Sequence, residues 1–133
     1  MGEILTSSLE DYLEVIYIIH KNGNHARITD IANILSCSKA SVNQAMNALK
    51  TENLIVQEKY RKISLTPEGI EVAKRIYEKH EILSKFFTEV LGVSPEVGEL
   101  DACKAEHILS NETLESIRNF LIKSNVCILE DNN

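Results

Sequence analysis

The sequence predicts a mainly α-helical fold with one small β-hairpin, arranged in two parts. Apolar residues recur at helical spacing through most of the 133 residues. The exception is 54-LIVQEKYRKISL-65, where two β-branched runs flank a charged tip. Beyond Pro67 the helices also carry more apolar surface than a small domain normally covers by itself. With 44% hydrophobic and 26% charged residues, a folded chain is expected, sized for one domain or a small domain with an added helical part.

The first helix is expected over 7-SSLEDYLEVIYIIHKNGN-24, opened by a Ser8–Asp11 capping box and broken at Asn22-Gly23-Asn24. Leu9, Tyr12, Leu13, Val15, Ile16 and Ile19 form its apolar face, and Asp11 and Glu14 lie three apart on a polar edge. Thr29 is the expected N-cap of a short second helix, with Ile31, Ile34 and Leu35 facing inward. After a tight turn at Ser36-Cys37, Ser38 caps a third helix running to about Lys50, its apolar stripe formed by Val42, Ala45, Met46 and Leu49. Two short helices with so small a turn between them make a helix-turn-helix pattern. Lys39, Ala40, Ser41, Asn43, Gln44 and Asn47 point outward, and Gln and Asn can bond adenine edges in a major groove.

A hairpin directly after a helix-turn-helix makes a winged helix. Its tip, Lys59, Tyr60, Arg61 and Lys62, suits a phosphate backbone, although a basic tip also serves merely to protect a sheet edge. Arg27, ahead of the helix pair, belongs with these candidate DNA contacts, as does Ser38. Thr66-Pro67 starts a long helix expected over residues 67–93, followed by a helix carrying Cys103 and an amphipathic segment over 112–126. The first domain is therefore placed at residues 1–72 and an all-helical domain at 73–133. Apolar surface of this kind beyond a DNA-binding unit usually meets a twin.

Charge is distributed unevenly. From Lys21 to Arg75 nine Lys/Arg face five acidic residues, a balance of +4, while the remainder carries −10, within a net −6. That is what a nucleic-acid-binding part joined to a cation-binding part would show, although surface charge also varies without function. Cys37, Cys103 and Cys127 follow no regular spacing and read as reduced thiols of a cytoplasmic protein. No apolar run is long enough to span a membrane, and no N-terminal signal is seen.

On a helix, Cys103 would sit beside both Glu106 and His107, a thiolate, a carboxylate and an imidazole, all able to donate to a divalent metal. Each has an ordinary alternative: a small buried thiol, or an intrahelical Glu-His pair. An enzyme using Cys103 as nucleophile and His107 as base is disfavoured, because no oxyanion loop or Gly-rich phosphate loop accompanies them.

Across nearly the whole chain, through 10-EDYLEVIY-17, the winged helix, 79-KHEILSKFF-87 and 103-CKAEHILS-110, the sequence resembles the DtxR/MntR family of metal-dependent transcriptional repressors. It is similar to their short, two-domain form without the SH3-like third domain. The resemblance implies metal ligands at Asp11, Glu14, His80, Cys103, Glu106 and His107. Cys103 stands where the manganese type has glutamate and the iron type has cysteine. Asp11 and Glu14 match the manganese type, so the set is a hybrid. Glu99 falls near an ancillary ligand position of the longer members, whose neighbouring glutamate is Ser84 here.

What the resemblance implies is a cytoplasmic homodimeric repressor that binds a palindromic operator in double-stranded DNA when Mn2+ or Fe2+ is plentiful. Co2+, Ni2+, Zn2+ or Cd2+ would substitute in vitro. Three carboxylates and a thiol repel one another without a cation, and a dication would draw the first helix and the Cys103 helix together. The rival reading is a winged-helix repressor that ignores metal or senses an organic ligand. Mn2+ and Fe2+ are not separated by the sequence, nor are one and two ions per subunit, nor a part for Glu99 or Asp101.

Overall fold

The computed structural model describes residues 5–58 and 62–125, so Lys59, Tyr60 and Arg61 of the hairpin tip, and Cys127, lie outside the described residues. The chain divides into two compact units, residues 1–75 and 76–133. Its elements are α1 (Ser7–Lys21), α2 (Ile28–Leu35), α3 (Lys39–Thr51), β1 (Ile55–Gln57), β2 (Ile63–Leu65), α4 (Pro67–Lys85), a π-helical turn (Phe86–Val90), α5 (Pro95–Ala105) and α6 (Asn111–Lys123). The fold is mainly helical with one hairpin, a winged helix-turn-helix followed by a helical part. No helix among the described residues is long and apolar enough to cross a membrane.

In the first unit α1 begins earlier than the Ser8–Asp11 box implies. Thr6 is in extended conformation and its hydroxyl accepts from Leu9 N at 3.1 Å, so Asp11 lies within the helix instead of at its cap. α2 also starts early. Arg27 holds the cap position, its backbone N donating to Asp30 Oδ2 at 3.2 Å, and Thr29 is already helical. Ser36 closes α2 in the left-handed region, with φ 53°, and Ser38 then caps α3 through Ser41 N at 3.0 Å.

Leu13, Ile16, Ile31, Val42, Met46, Leu49, Ile55 and Ile63 form the core of this unit and are almost completely buried. Ile34 is not among them. It is 57% exposed, because the inner face is the stripe of Ile28, Ile31 and Ala32, and Ile34 lies beside that stripe. The hairpin is antiparallel, pairing Ile55 with Leu65, Val56 with Ser64 and Gln57 with Ile63. Ile63 N also donates to Ala26 O at 2.9 Å, which ties the wing to the segment entering α2.

The junction from hairpin to α4 is tight. Thr66 Oγ1 donates to Asn53 O at 2.8 Å and accepts from Gly69 N at 2.9 Å. Gly69 packs against the Leu54 carbonyl so closely that an added Cβ would lie 1.9 Å from its oxygen.

The second unit is centred on Leu83, Ala102 and Leu114, with Phe87, Ala105, Leu109 and Ile117 packed against them. The helix expected over residues 67–93 is α-helical only to Lys85. It then widens into the π-helical turn, with Leu91 N donating to Phe86 O at 3.1 Å, and ends at Gly92, whose φ is 76°. Ser94 caps α5 with Pro95 in its first turn, and Ser110 caps α6. Gly98 lets α5 approach the π-helical turn, since a Cβ there would meet Thr88 Cγ2 at 2.6 Å. Phe86 packs edge-on against Phe120 at 6.2 Å, and Phe120 and Ile122 leave about half their surface exposed.

Gly69→Ala is expected to destabilise the protein. Alanine gains roughly 0.5–1 kcal/mol in helix propensity, whereas displacing backbone to fit a methyl costs about 1–3 kcal/mol. A lowered melting temperature checks this, and an unchanged or raised one contradicts it.

Candidate metal centre and DNA-facing surface

α4 supplies His80 to the second unit at a fully packed position, only 5% exposed. Across from it α5 ends at Ala105, so Glu106 is the C-cap residue and His107 follows in the turn. Glu106 is the most buried ionisable side chain among the described residues, at 1% exposure. His80 Nδ1 donates to Glu106 Oε1 at 3.1 Å and His80 Nε2 donates to Glu99 Oε2 at 2.6 Å. Ser84 Oγ, one turn after His80 on α4, donates to Glu99 Oε1 at 3.0 Å.

Two donating ring nitrogens require the imidazolium form. Burial alone would lower the His80 pKa, but hydrogen bonds with Cys103, Glu106 and Glu99, and the Glu99 charge, push it up to about 12. Glu99 responds in the opposite sense. Burial would raise it, but the His80 contact and the Ser84 hydrogen bond hold it below the usual carboxylate range.

Glu106 Oε2 is buried and has no hydrogen-bond partner. His107 Nε2 lies 3.6 Å from it, too far for a hydrogen bond. A carboxylate held out of water with one oxygen uncovered is costly unless something positive meets it. Within this unit the donors are a nitrogen, oxygen and sulfur set of the kind that holds divalent transition metals, so the residues fit such an ion.

Cys103 and Glu106 keep helical spacing, since Glu106 is still in helical conformation and its N donates to Ala102 O at 3.0 Å. Cys103 is exposed while Glu106 is buried, and Cys103 meets His80 instead of standing over Glu106 alone. The sequence leaves the part of Glu99 open, near an ancillary ligand position by resemblance. The spacing 99, 103, 106 would have placed it on the same helical stripe, opposite His80 and Ser84, which are themselves four apart.

In the first unit Asp11 and Glu14 lie three apart on α1. Asp11 is half-buried and Glu14 only 7% exposed, which is unusual for a carboxylate on a helix. α3 presents Lys39, Ala40, Ser41, Asn43 and Gln44 to solvent, behind an exposed Ser38. Arg27 is exposed and shares an open cleft of about 640 Å3 with Asn24, His25 and Lys62. Of the four tip residues, Lys62 alone is among those described, half-buried at the root of the wing.

A histidine whose folded pKa is raised adds stability that is complete below its unfolded value of about 6.5 and is lost as pH rises toward the folded value. With chelator present, unfolding by urea is therefore expected to become easier from pH 6.5 to pH 9. His80→Asn should flatten that slope. An identical slope in both proteins would contradict the assignment.

The family models agree with this division. The iron dependent repressor N-terminal DNA binding domain matches residues 4–63, and the iron dependent repressor metal binding and dimerisation domain matches residues 66–131. An uncharacterised HTH-type transcriptional regulator of Methanocaldococcus jannaschii is 37% identical over 120 residues, covering 90% of this chain and 96% of that protein. The HTH-type transcriptional regulator MntR of Lysinibacillus sphaericus is 35% identical over 127 residues, covering 96% of this chain and 87% of that one. Among solved structures, the manganese regulator SloR superposes with a TM-score of 0.78 at 26% identity, over 94% of this chain and 57% of its own. A manganese-dependent transcriptional repressor in complex with manganese shares the fold, with a TM-score of 0.79 at 21% identity, over 85% of this chain and 52% of its own. This chain thus spans little more than half the length of those two solved proteins. With both domain models matched in order and curated regulators aligned over nearly its whole length, the chain belongs to the iron-dependent repressor family of metal-dependent transcriptional regulators.

Proposed function

We propose that this protein is a cytoplasmic homodimeric repressor whose operator binding is activated by Mn2+ or Fe2+, held by Asp11, Glu14, His80, Cys103, Glu106 and His107. The observation that carries this reading is Glu106 Oε2, buried and without a hydrogen-bond partner beside two histidines. When bound, a dication supplies the positive charge that offsets the carboxylates. His80 supplies a ring nitrogen by giving up a proton, and Cys103 supplies sulfur from an exposed position. The similar structure of the manganese regulator SloR points to manganese and the family models' names to iron, and the ligand types divide the same way: carboxylate and imidazole suit Mn2+, thiolate the later metals.

The matching division of labour gives DNA binding to residues 1–72 and metal binding and dimerisation to residues 73–133. The surface around Phe86, Phe87 and the segment from Leu114 to Ile122 would meet its twin. Support comes from the half-exposed Phe120 and Ile122. In a dimer on a palindromic operator the two α3 helices enter successive major grooves, about 34–36 Å apart. Ser41, Asn43 and Gln44 approach bases, while Lys59, Arg61 and Lys62 hold phosphate.

DNA-binding anisotropy against a panel of divalent metals, with a chelator control, tests the reading directly. Binding that does not change with metal would overturn it. Cys103→Glu makes the set all oxygen and nitrogen, so activation is expected to shift toward Mn2+ relative to Fe2+ or Co2+. An unchanged metal ranking would remove Cys103 from the ligands.

The DNA contacts separate by their salt response. Lys62→Ala should weaken all sequences alike and lower the salt slope by about one. Gln44→Ala should instead relax preference at particular base pairs by about 1–3 kcal/mol. The opposite pattern would reverse the two roles.

A further inference from the structure

Tyr12 lies between Asp11 and Glu14 in sequence but serves a different neighbour. Its side chain is buried, and its hydroxyl shares a hydrogen bond with Cys37 Sγ at 3.5 Å. Cys37 belongs to the turn of the helix-turn-helix, and that turn is closely fixed. Ser36 holds the left-handed conformation, Cys37 N donates to Ala32 O at 3.0 Å, and the next residue, Ser38, caps α3. The sulfur therefore sits directly ahead of the recognition helix, at a place the backbone does not let drift.

Leu13 and Ile16 also bury α1 in this unit, but apolar packing is non-directional and tolerates sliding. A hydrogen bond has a narrow range of distance and angle, so it fixes rotation and register where packing does not. Tyr12 gives α1 such a directional contact with the turn.

We propose that the Tyr12–Cys37 hydrogen bond is a positioning contact that carries the placement of α1 to the start of α3, so that the response of DNA binding to metal depends on it. This rests on the reading of Asp11 and Glu14 as ligands. Tyr12 touches neither cation nor DNA in this scheme and acts through Cys37. Such a contact contributes to coupling only by what it adds when metal and DNA are both bound, over what it adds with either one alone.

The test uses the full chain and four variants: Tyr12→Phe, Cys37→Ala, Cys37→Ser and the Tyr12→Phe/Cys37→Ala double. Mn2+ affinity of the DNA-free protein is measured alongside DNA affinity in saturating Mn2+ and in chelator. Tyr12→Phe and Cys37→Ala should each weaken DNA binding in Mn2+ by about two- to tenfold, the range for one lost hydrogen bond. Mn2+ affinity and chelated DNA affinity should stay unchanged. The double variant should lose no more than either single one, and Cys37→Ser, which restores a hydroxyl partner, should recover the response. Equal losses with and without Mn2+, additive losses in the double variant, or no loss at all would overturn the proposal. Asp11→Asn separates it from its premise: a full metal response there overturns the ligand reading, and the coupling with it. A lost response there, with Tyr12→Phe unchanged, overturns the coupling alone.

Discussion

Glu106 sets the terms for the helical part of this protein. A carboxylate at 1% exposure has little water to stabilise it, so its charge must be met by protein groups or by an ion. His80 meets one oxygen and, in doing so, becomes a buried cation held by Glu99 on its far side. The imidazolium then occupies electrostatically the role a dication is suited to fill. Proton and metal ion are alternatives for the same negative surroundings, so binding of one is linked to release of the other.

The helical periodicities and their apolar faces were legible because they are short-range properties. Val42, Ala45, Met46 and Leu49 are buried as their spacing requires. The hairpin was legible from its β-branched runs. Helix starts were less so, because Ser8 and Thr29 are good caps in isolation while Thr6 and the Arg27–Asp30 pair compete for the same role. Choosing between them depends on how the chain entering each helix is held, a tertiary matter: ahead of α2, Ala26 is buried and its carbonyl accepts from Ile63 N. Ile34 lies beside the buried stripe of α2, on its exposed flank.

The π-helical turn was not legible either, since 86-FFTEV-90 reads as ordinary helix. At the candidate centre, residue types and spacing pointed to Cys103, Glu106 and His107, and the family resemblance pointed to His80. Their unequal exposure was not legible: Cys103 is exposed and Glu106 buried, which depends on what packs against α5. Glu99 needed coordinates, because its significance comes from Ser84 and His80 on another helix.

Gly98 and Thr88 bear on how such a centre can change over time. Thr88 Oγ1 donates to Ser84 O at 2.9 Å, which pins the side chain whose methyl lies under Gly98. α5 is therefore seated against the π-helical turn by a contact that contains no candidate ligand. The spacing between the His80–Ser84 face and the Glu99–Cys103–Glu106 stripe is held by this frame. Mutational drift at a ligand position, such as exchange of thiol for carboxylate at 103, leaves the seating untouched. A lineage could then change its preferred ion one residue at a time, without refolding, provided position 98 stays free of a side chain.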